Sequence, residues 1–265
     1  MATQIVTLIA DWGNKDGFAG KVKGRLYSNL DQVSVVDIAT GIDPFDLRSA
    51  AFVLKSCFDD FPKGTIHIVD VCPNNSDSLS NLIVEVAGQY VLCADTLLPW
   101  YAFGDRIDKA WRINLPDHLH GDTFTAYTIL TPIAVAIVKG HKPESLGTLL
   151  TEQRQISTKN PFYEGDRLVV YVSHIDNYGN VYLNITVEEF ERHRNGRSFV
   201  LTMKERSIST FVDSYQGSDN ARQISRSLVV LPSVATGLVE VAFSCASVAK
   251  IMGMQVDEMV WFTFK

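Results

Sequence analysis

Asp11 closes a short apolar run, Ile5 to Ala10, and is followed by glycines at Gly13, Gly17 and Gly20. An ionised carboxylate there can accept hydrogen bonds from two ribose hydroxyls, or it can simply cap the turn or helix that follows. Asp70 stands at the end of a second such run, Thr65 to Val69. Further on, Asp176-Asn177-Tyr178-Gly179-Asn180 places a carboxylate and a carboxamide around a glycine free to take positive φ. The two polar groups can tie the turn themselves or face a ligand. His118 and His120, beside Asp117 and Asp122, could hold a metal, but in a polar loop they read more simply as solvated. His67 alternates with apolar neighbours and reads as a satisfied structural histidine, as does His174. A nucleophile elbow, a phosphate-binding P-loop and a His-Glu-x-x-His pair are missing, and the early glycines do not make a dinucleotide fingerprint.

These residues need elements to hold them. Ile5–Ala10, Val33–Ile38 and Thr65–Val69 are apolar runs suited to strands buried on both faces. A helix is expected from Phe18. A second follows Asp43-Pro44-Phe45-Asp46, with Asp43 as N-cap, Pro44 in the first helical position and Leu47, Ala51, Leu54 and Phe58 on one face. Strand–helix alternation implies right-handed crossovers and a mainly parallel sheet. A carboxylate at the carboxyl end of such a strand sits at the mouth where open α/β sheets bind ligands. Leu82–Val86 and Tyr90–Cys93 read as a hairpin at one side of that sheet. Phe124–Val138 carries a helical pattern broken by Pro132, and Glu144–Leu150 reads as a short helix.

Periodicity fails between about Gln155 and Gly165, and the chain then changes character. Leu168–Ile175, Val181–Asn184, Ser198–Met203, Ser227–Leu231, Leu238–Phe243 and Met259–Phe264 are strand candidates separated by turn signals, with Ala246–Met252 as a short helix. The expected architecture is an α/β domain over 1–158 with a mainly parallel sheet. A smaller antiparallel all-β domain, a barrel or sandwich, follows over 166–265.

The 265 residues are 46% hydrophobic and 20% charged, ordinary for a globular chain, with a net charge of −6. That acidity argues against a nucleic-acid binder, and no apolar run approaches a membrane span. Cys57, Cys72, Cys93 and Cys245 are scattered without metal or disulfide spacing. With no leader pattern at the start, they point to a cytoplasmic protein.

Asp-Trp-Gly-x-x-Asp-Gly-Phe-Ala-Gly-x-x-Lys-Gly (Asp11 to Gly24) resembles the opening motif of the S-adenosyl-L-methionine hydroxide adenosyltransferases, relatives of the fluorinase and chlorinase. Ile175 to Asn184 resembles their Asp-x-Phe-Gly-Asn-x-x-x-Asn element. In collinear order, Val36-Asp37-Ile38 with the Asp-Pro-Phe-Asp helix start, Phe61 to Asp70, Ala94 to Leu98 and Thr236 to Ala242 are similar to further family segments. The resemblance implies attack of water on the ribose 5′ carbon of S-adenosyl-L-methionine, giving adenosine and L-methionine. It implies no cofactor and a homotrimer with inter-subunit sites. By the same resemblance Asp70 would help activate the water. Asp11, Asp95, Asp176, Tyr178, Asn180 and Thr236 would bind substrate.

The sequence also departs from that pattern. The family's water-activating group joins an arginine and a histidine to the aspartate. The segment Val71 to Ser80 contains no arginine, and Asp77 stands in its place by direct count. Thr125 replaces the histidine. Thr125 or Ser76 could orient a water but cannot take its proton near neutral pH. The pair of serines before the late glycine has become Ala235-Thr236. The halogenases' extra loop has no counterpart in the short stretch from Asp95 to Thr123. Two readings follow: a slow hydrolase, or a protein that binds a nucleoside or S-adenosyl-L-methionine without turning it over, as a sensor would.

Overall fold

The computed structural model describes residues 3–72, 80–115, 123–152, 154, 156, 159–215, 228–243 and 245–265. Contacts divide the chain into two units, Met1–Ile156 and Ser157–Lys265. Asp77, Ser76, His118, His120, Asp117 and Asp122 lie outside the described residues.

The first unit is built on seven strands: β1 Gln4–Ala10, β2 Val33–Ala39, β3 Ile66–Asp70, β4 Asn81–Val86, β5 Gln89–Ala94, β6 Lys109–Ile113 and β7 Gly147–Leu149. They lie in the order β2-β1-β3-β5-β4-β6-β7. β1 pairs in parallel with β2 and β3, and β3 with β5. The β4–β5, β4–β6 and β6–β7 pairings are antiparallel. The sheet is therefore mixed, and the expected mainly parallel sheet is corrected. The cause is local: β4 and β5 are joined by the tight Ala87-Gly88 turn, which forces an antiparallel pair. That hairpin lies inside the sheet rather than at one side, because β6 and β7 extend it.

Helices cover both faces. α1 Phe18–Asn29 and α4 Thr131–Val138 pack with Val6, Leu8, Ile66 and Ile68. α2 Leu47–Phe58 and α3 Leu98–Phe103 pack with Ile9, Val69 and Cys93 on the other side. Alternate residues of one strand thus enter opposite cores, which is why β1 reads as an unbroken apolar run. The N-cap of α2 is Asp46, whose carboxylate accepts from the Ser49 amide at 2.9 Å, and not Asp43. Phe45 takes φ 68°, so the chain turns once more before the helix can start. The expected helix at 144–150 divides into α5 Pro143–Leu146 and strand β7.

The second unit is antiparallel throughout its named strands. β8 Phe162–Glu164, β9 Arg167–Ile175, β10 Val181–Thr186, β11 Phe199–Met203, β12 Arg206–Ile208, β13 Leu228–Pro232, β14 Leu238–Phe243 and β15 Met259–Phe264 form one sheet. Its order is β12-β11-β15-β9-β10-β14-β13, with β8 on β9. Past β12, the chain returns to β13: the Val212 amide donates to Val230 O and the Val230 amide to Thr210 O. The sheet thereby nearly closes into a barrel, as expected for this half. The core is filled by Val170, Val172, Leu183, Leu201, Val241 and Phe262. A helix not foreseen, α6 Val187–Arg194, seats Phe190 in that core, and α7 Val248–Met252 follows β14. α6 opens with a full capping box between Thr186 and Glu189.

Candidate functional site

In the first unit, Asp11, Asp70 and Asp95 stand at the carboxyl ends of the neighbouring strands β1, β3 and β5. Ala10 pairs with Asp70 and Val69 with Cys93. Parallel register thus brings three carboxylates to one edge of the sheet.

Asp70 is 3% exposed. The Trp12 indole N–H donates to its Oδ2 at 2.8 Å. Its Oδ1 completes no hydrogen bond of ordinary geometry among the described residues, although the Ala126 amide favours the charged form. Burial, reinforced by the nearby Asp11 charge, pushes the Asp70 carboxyl up to about 7 against the help of Trp12 and Ala126. A carboxyl so placed can exchange a proton near neutral pH. Trp12 is steadied by the Phe124 ring, edge-on at 5.5 Å, and by Phe18 at 6.5 Å.

Asp11 uses Oδ2 to accept two backbone amides, Phe45 N at 3.0 Å and Cys72 N at 3.3 Å. Both donors sit at positive φ, 68° and 51°. The carboxylate therefore holds the loops after β2 and β3 through one oxygen.

Thr125 is buried and leads into a π-helical turn, Ala126–Leu130. The Thr131 amide bonds Ala126 O, five residues back, and the Thr131 hydroxyl donates to the same oxygen at 2.6 Å. Pro132 has no N–H to offer, which favours this wider turn just ahead of α4. Thr125 is thus next to the amide that faces Asp70.

Asp95 is held differently. Its Oδ2 accepts from Ser80 Oγ at 2.9 Å and Arg112 Nη2 at 3.2 Å, and its Oδ1 pairs with Arg154. The carboxylate is fully buried while both guanidiniums are partly exposed. Both of its oxygens are occupied by protein donors, a structural ion-pair arrangement.

The second unit has a cavity of about 880 Å³ lined by Asp176, Tyr178 and Asn180 among others. Asp176 Oδ1 accepts from the amides of Tyr178 (2.9 Å) and Asn180 (2.8 Å). Its Oδ2 takes Asn180 Nδ2 at 3.1 Å and the Tyr182 hydroxyl at 3.3 Å. Asn180 Nδ2 also reaches the Tyr215 hydroxyl at 3.1 Å, and that hydroxyl donates to Glu240. Tyr182 and Glu240 are cross-strand partners on β10 and β14, which puts them on one face. The five side chains close a ring. Burial raises the carboxyl of Glu240, and burial with its carboxylate neighbours raises both phenols, so the tyrosines stay protonated donors. Gly179 has φ 81°, and a Cβ on it would lie 1.9 Å from Ser247 Oγ. The turn needs glycine for both conformation and space. Thr236 accepts from the Leu238 amide at 3.2 Å in the β13–β14 turn and does not line the cavity, though Ser233, Val234 and Ala235 do.

Sequence reasoning did not single out Trp12, Tyr182, Tyr215, Glu240, Arg112 or Arg154. Glu240 had a visible signal, a lone carboxylate inside an apolar strand. Tyr215 is linked to Glu240 only through the fold.

Two family profiles match in chain order: the SAM hydroxide adenosyltransferase N-terminal domain over residues 6–147 and the C-terminal domain over 170–261. An (R)-S-adenosyl-L-methionine hydrolase of Methanocaldococcus jannaschii is 24% identical over 230 residues, 80% of each protein. A fluorinase of Nocardia brasiliensis is 22% identical over 219 residues, covering 71% of this chain and 73% of its own. A crystal structure of an uncharacterized conserved protein from Thermotoga maritima superposes with a TM-score of 0.79 at 19% identity, over 98% of this chain and all of that one. The two profiles span both units and the ordered motifs within them, and the chain belongs to the SAM hydroxide adenosyltransferase family.

Proposed function

We propose that this protein hydrolyses S-adenosyl-L-methionine to adenosine and L-methionine. The observation that carries the reading is Asp70: a buried carboxyl with one oxygen lacking an ordinary partner among the described residues, raised to about 7, beside Asp11. In this reaction a water oxygen bonds to the ribose 5′ carbon as the carbon–sulfur bond breaks. The sulfur keeps the bonding pair and leaves as a neutral thioether, so no general acid is required. The water's proton passes to Asp70. In this reading Asp11 accepts from the ribose hydroxyls, and Asn180 suits an adenine edge. No cofactor takes part.

Turnover is slow in this reading, because Thr125 and, by count, Asp77 stand where the family has groups that assist the water. Positioned acid–base groups contribute about 10²–10⁴-fold. The test is chromatography of adenosine and methionine from saturating substrate above pH 7, with calorimetry of adenosine binding beside it. Slow, Asp70-dependent product formation is expected. Firm nucleoside binding with zero turnover would replace the hydrolase by the sensor reading. An absence of both at millimolar ligand would remove the site altogether.

A further inference from the structure

Tyr127 is the second residue of the π-helical turn Ala126–Leu130, and its carbonyl loses both of its usual helical donors. In an α-helix the donor would be the Thr131 amide, which bonds Ala126 O instead. In a π-helix it would be residue 132, a proline, which has no N–H. Arg25 on α1 supplies the donor: its Nη1 reaches Tyr127 O at 2.8 Å from a position 102 residues earlier in the chain. The same guanidinium lies over the Tyr127 ring, 4.5 Å from its centroid. One side chain thus clasps both the backbone and the ring of Tyr127, a use that suits the planar fork of arginine better than a lysine.

Two paths lead from Tyr127 to Asp70. The Tyr127 ring stacks on Phe124, with centroids 5.8 Å apart and planes 10° from parallel. Phe124 meets Trp12 edge-on at 5.5 Å, and the Trp12 indole donates to Asp70 Oδ2. Along the backbone, Tyr127 follows Ala126, whose amide favours the charged form of Asp70. We propose that Arg25 is a positioning residue of the Asp70 centre: by holding Tyr127, it keeps the Trp12 indole and the Ala126 amide aimed at the carboxylate. Its part in turnover rests on the hydrolase reading; its hold on the carboxylate does not. Among the described residues, the charged group acting on Asp70 is Asp11, at the end of the neighbouring strand. Asp95 is matched by Arg112 and Arg154, and residues 125–130 carry no charged side chain. Loosening the two donors withdraws support from the carboxylate, so Asp70 should then hold its proton to higher pH.

The experiment follows the Trp12 indole N–H resonance against pH in the full chain carrying isotopically labelled tryptophan, with Trp12→Phe assigning the signal. Because that N–H donates to Asp70, its shift reports the carboxyl's protonation without any turnover, and in the wild type its midpoint should lie near 7. Arg25→Ala should raise the midpoint by about half a pH unit or more. Lys21→Ala removes a cation that lies 5.8 Å over the same ring but leaves the bond to the carbonyl intact, and should not move it. In parallel, adenosine formation by Arg25→Ala should fall about tenfold in kcat with KM within about twofold, the mark of a misplaced group rather than of lost binding. A thermal melt checks that the variant folds; if it does not, Tyr127→Leu, which takes the ring out of the stack, should raise the midpoint likewise. An unmoved midpoint in the folded variant, or an equal shift in Lys21→Ala, would overturn the role of Arg25 while leaving the hydrolase reading in place. A raised midpoint in a chain whose wild type turns over no S-adenosyl-L-methionine would uphold Arg25 and strike the hydrolase reading instead.

Discussion

Replacing Asp70 by asparagine should make the first unit more stable and the protein inactive. The carboxyl is raised from the ordinary 3.8 to about 7. Between those values the folded state holds a proton that the unfolded state has released, so stability falls as pH rises through this window. At about 1.4 kcal/mol per pH unit, the loss above pH 7 is capped at roughly 4 kcal/mol. Asparagine is neutral and avoids it, but its amide must face the Ala126 N–H with one of its own donors. Halving the cap for that mismatch leaves a gain on the order of 2 kcal/mol at pH 8.5, or about 5 °C in Tm for a unit of this size. His67 adds a diagnostic. Buried between Thr7 Oγ1 (2.8 Å) and Gln89 Oε1 (3.0 Å), it is lowered from 6.5 to about 4. The unfolded chain takes up that proton first, so stability falls as pH drops from about 6.5 to 4, by up to roughly 3 kcal/mol. In the wild type the two slopes oppose each other between about 4 and 6.5. In Asp70→Asn the histidine slope stands alone. Denaturant titrations at pH 4.5, 6.5 and 8.5 read this directly. A gain at pH 8.5 that does not shrink on acidification, or no gain at all, would refute the reasoning. Product formation by the variant should drop by about 10²-fold or more.

Wild-type kcat/KM should rise with pH through about 7 as Asp70 loses its proton. Trp12→Phe removes a hydrogen bond that favours the carboxylate, so the acid limb of that profile should move up by about one pH unit. An unmoved limb would dissociate Trp12 from the proton transfer. Gly179→Ala should destabilise the second unit by about 2 kcal/mol or more, because the position combines φ 81° with a collision at Ser247; unfolding curves against wild type decide it. Light scattering at micromolar concentration should give the mass of a trimer, the state expected from the family resemblance, and a monomer would remove that expectation.

The strands that carry Asp11 and Asp70 were legible because burial on both faces leaves an unbroken apolar run that stops at a carboxylate. Six of the barrel strands were legible through alternation and turn residues; β8 and β12, three residues each, were not. In the first sheet the β4–β5 hairpin was legible, but the two further antiparallel strands beyond it were not. β6, Lys-Ala-Trp-Arg-Ile, sits in a loop-rich stretch, and β7 is three residues long, too short for any periodicity to register. α6 did carry a readable signal, Thr186-x-x-Glu189, masked by the strand pattern that runs into it. The resemblance suggested Asp95 as a substrate contact. Its pairing with Arg112 and Arg154 depends on residues 17 and 59 positions away, which spacing alone cannot reveal. Tyr215 escaped notice for the same reason, whereas Glu240 stood out as a lone carboxylate in an apolar strand.

The two amides held by Asp11 Oδ2 come from residues 34 and 61 positions later in the chain. The carboxylate emerges with the first strand, yet its second donor exists only once β3 has been laid beside β1. Closing these loops spends chain entropy before the contact returns anything, which marks it as a late event in folding. Substitutions at Asp11 should therefore speed unfolding and leave the folding rate nearly untouched. The ligand-facing loops of this unit would then be the last part to set and the first to loosen, whatever the stability of the sheet beneath them.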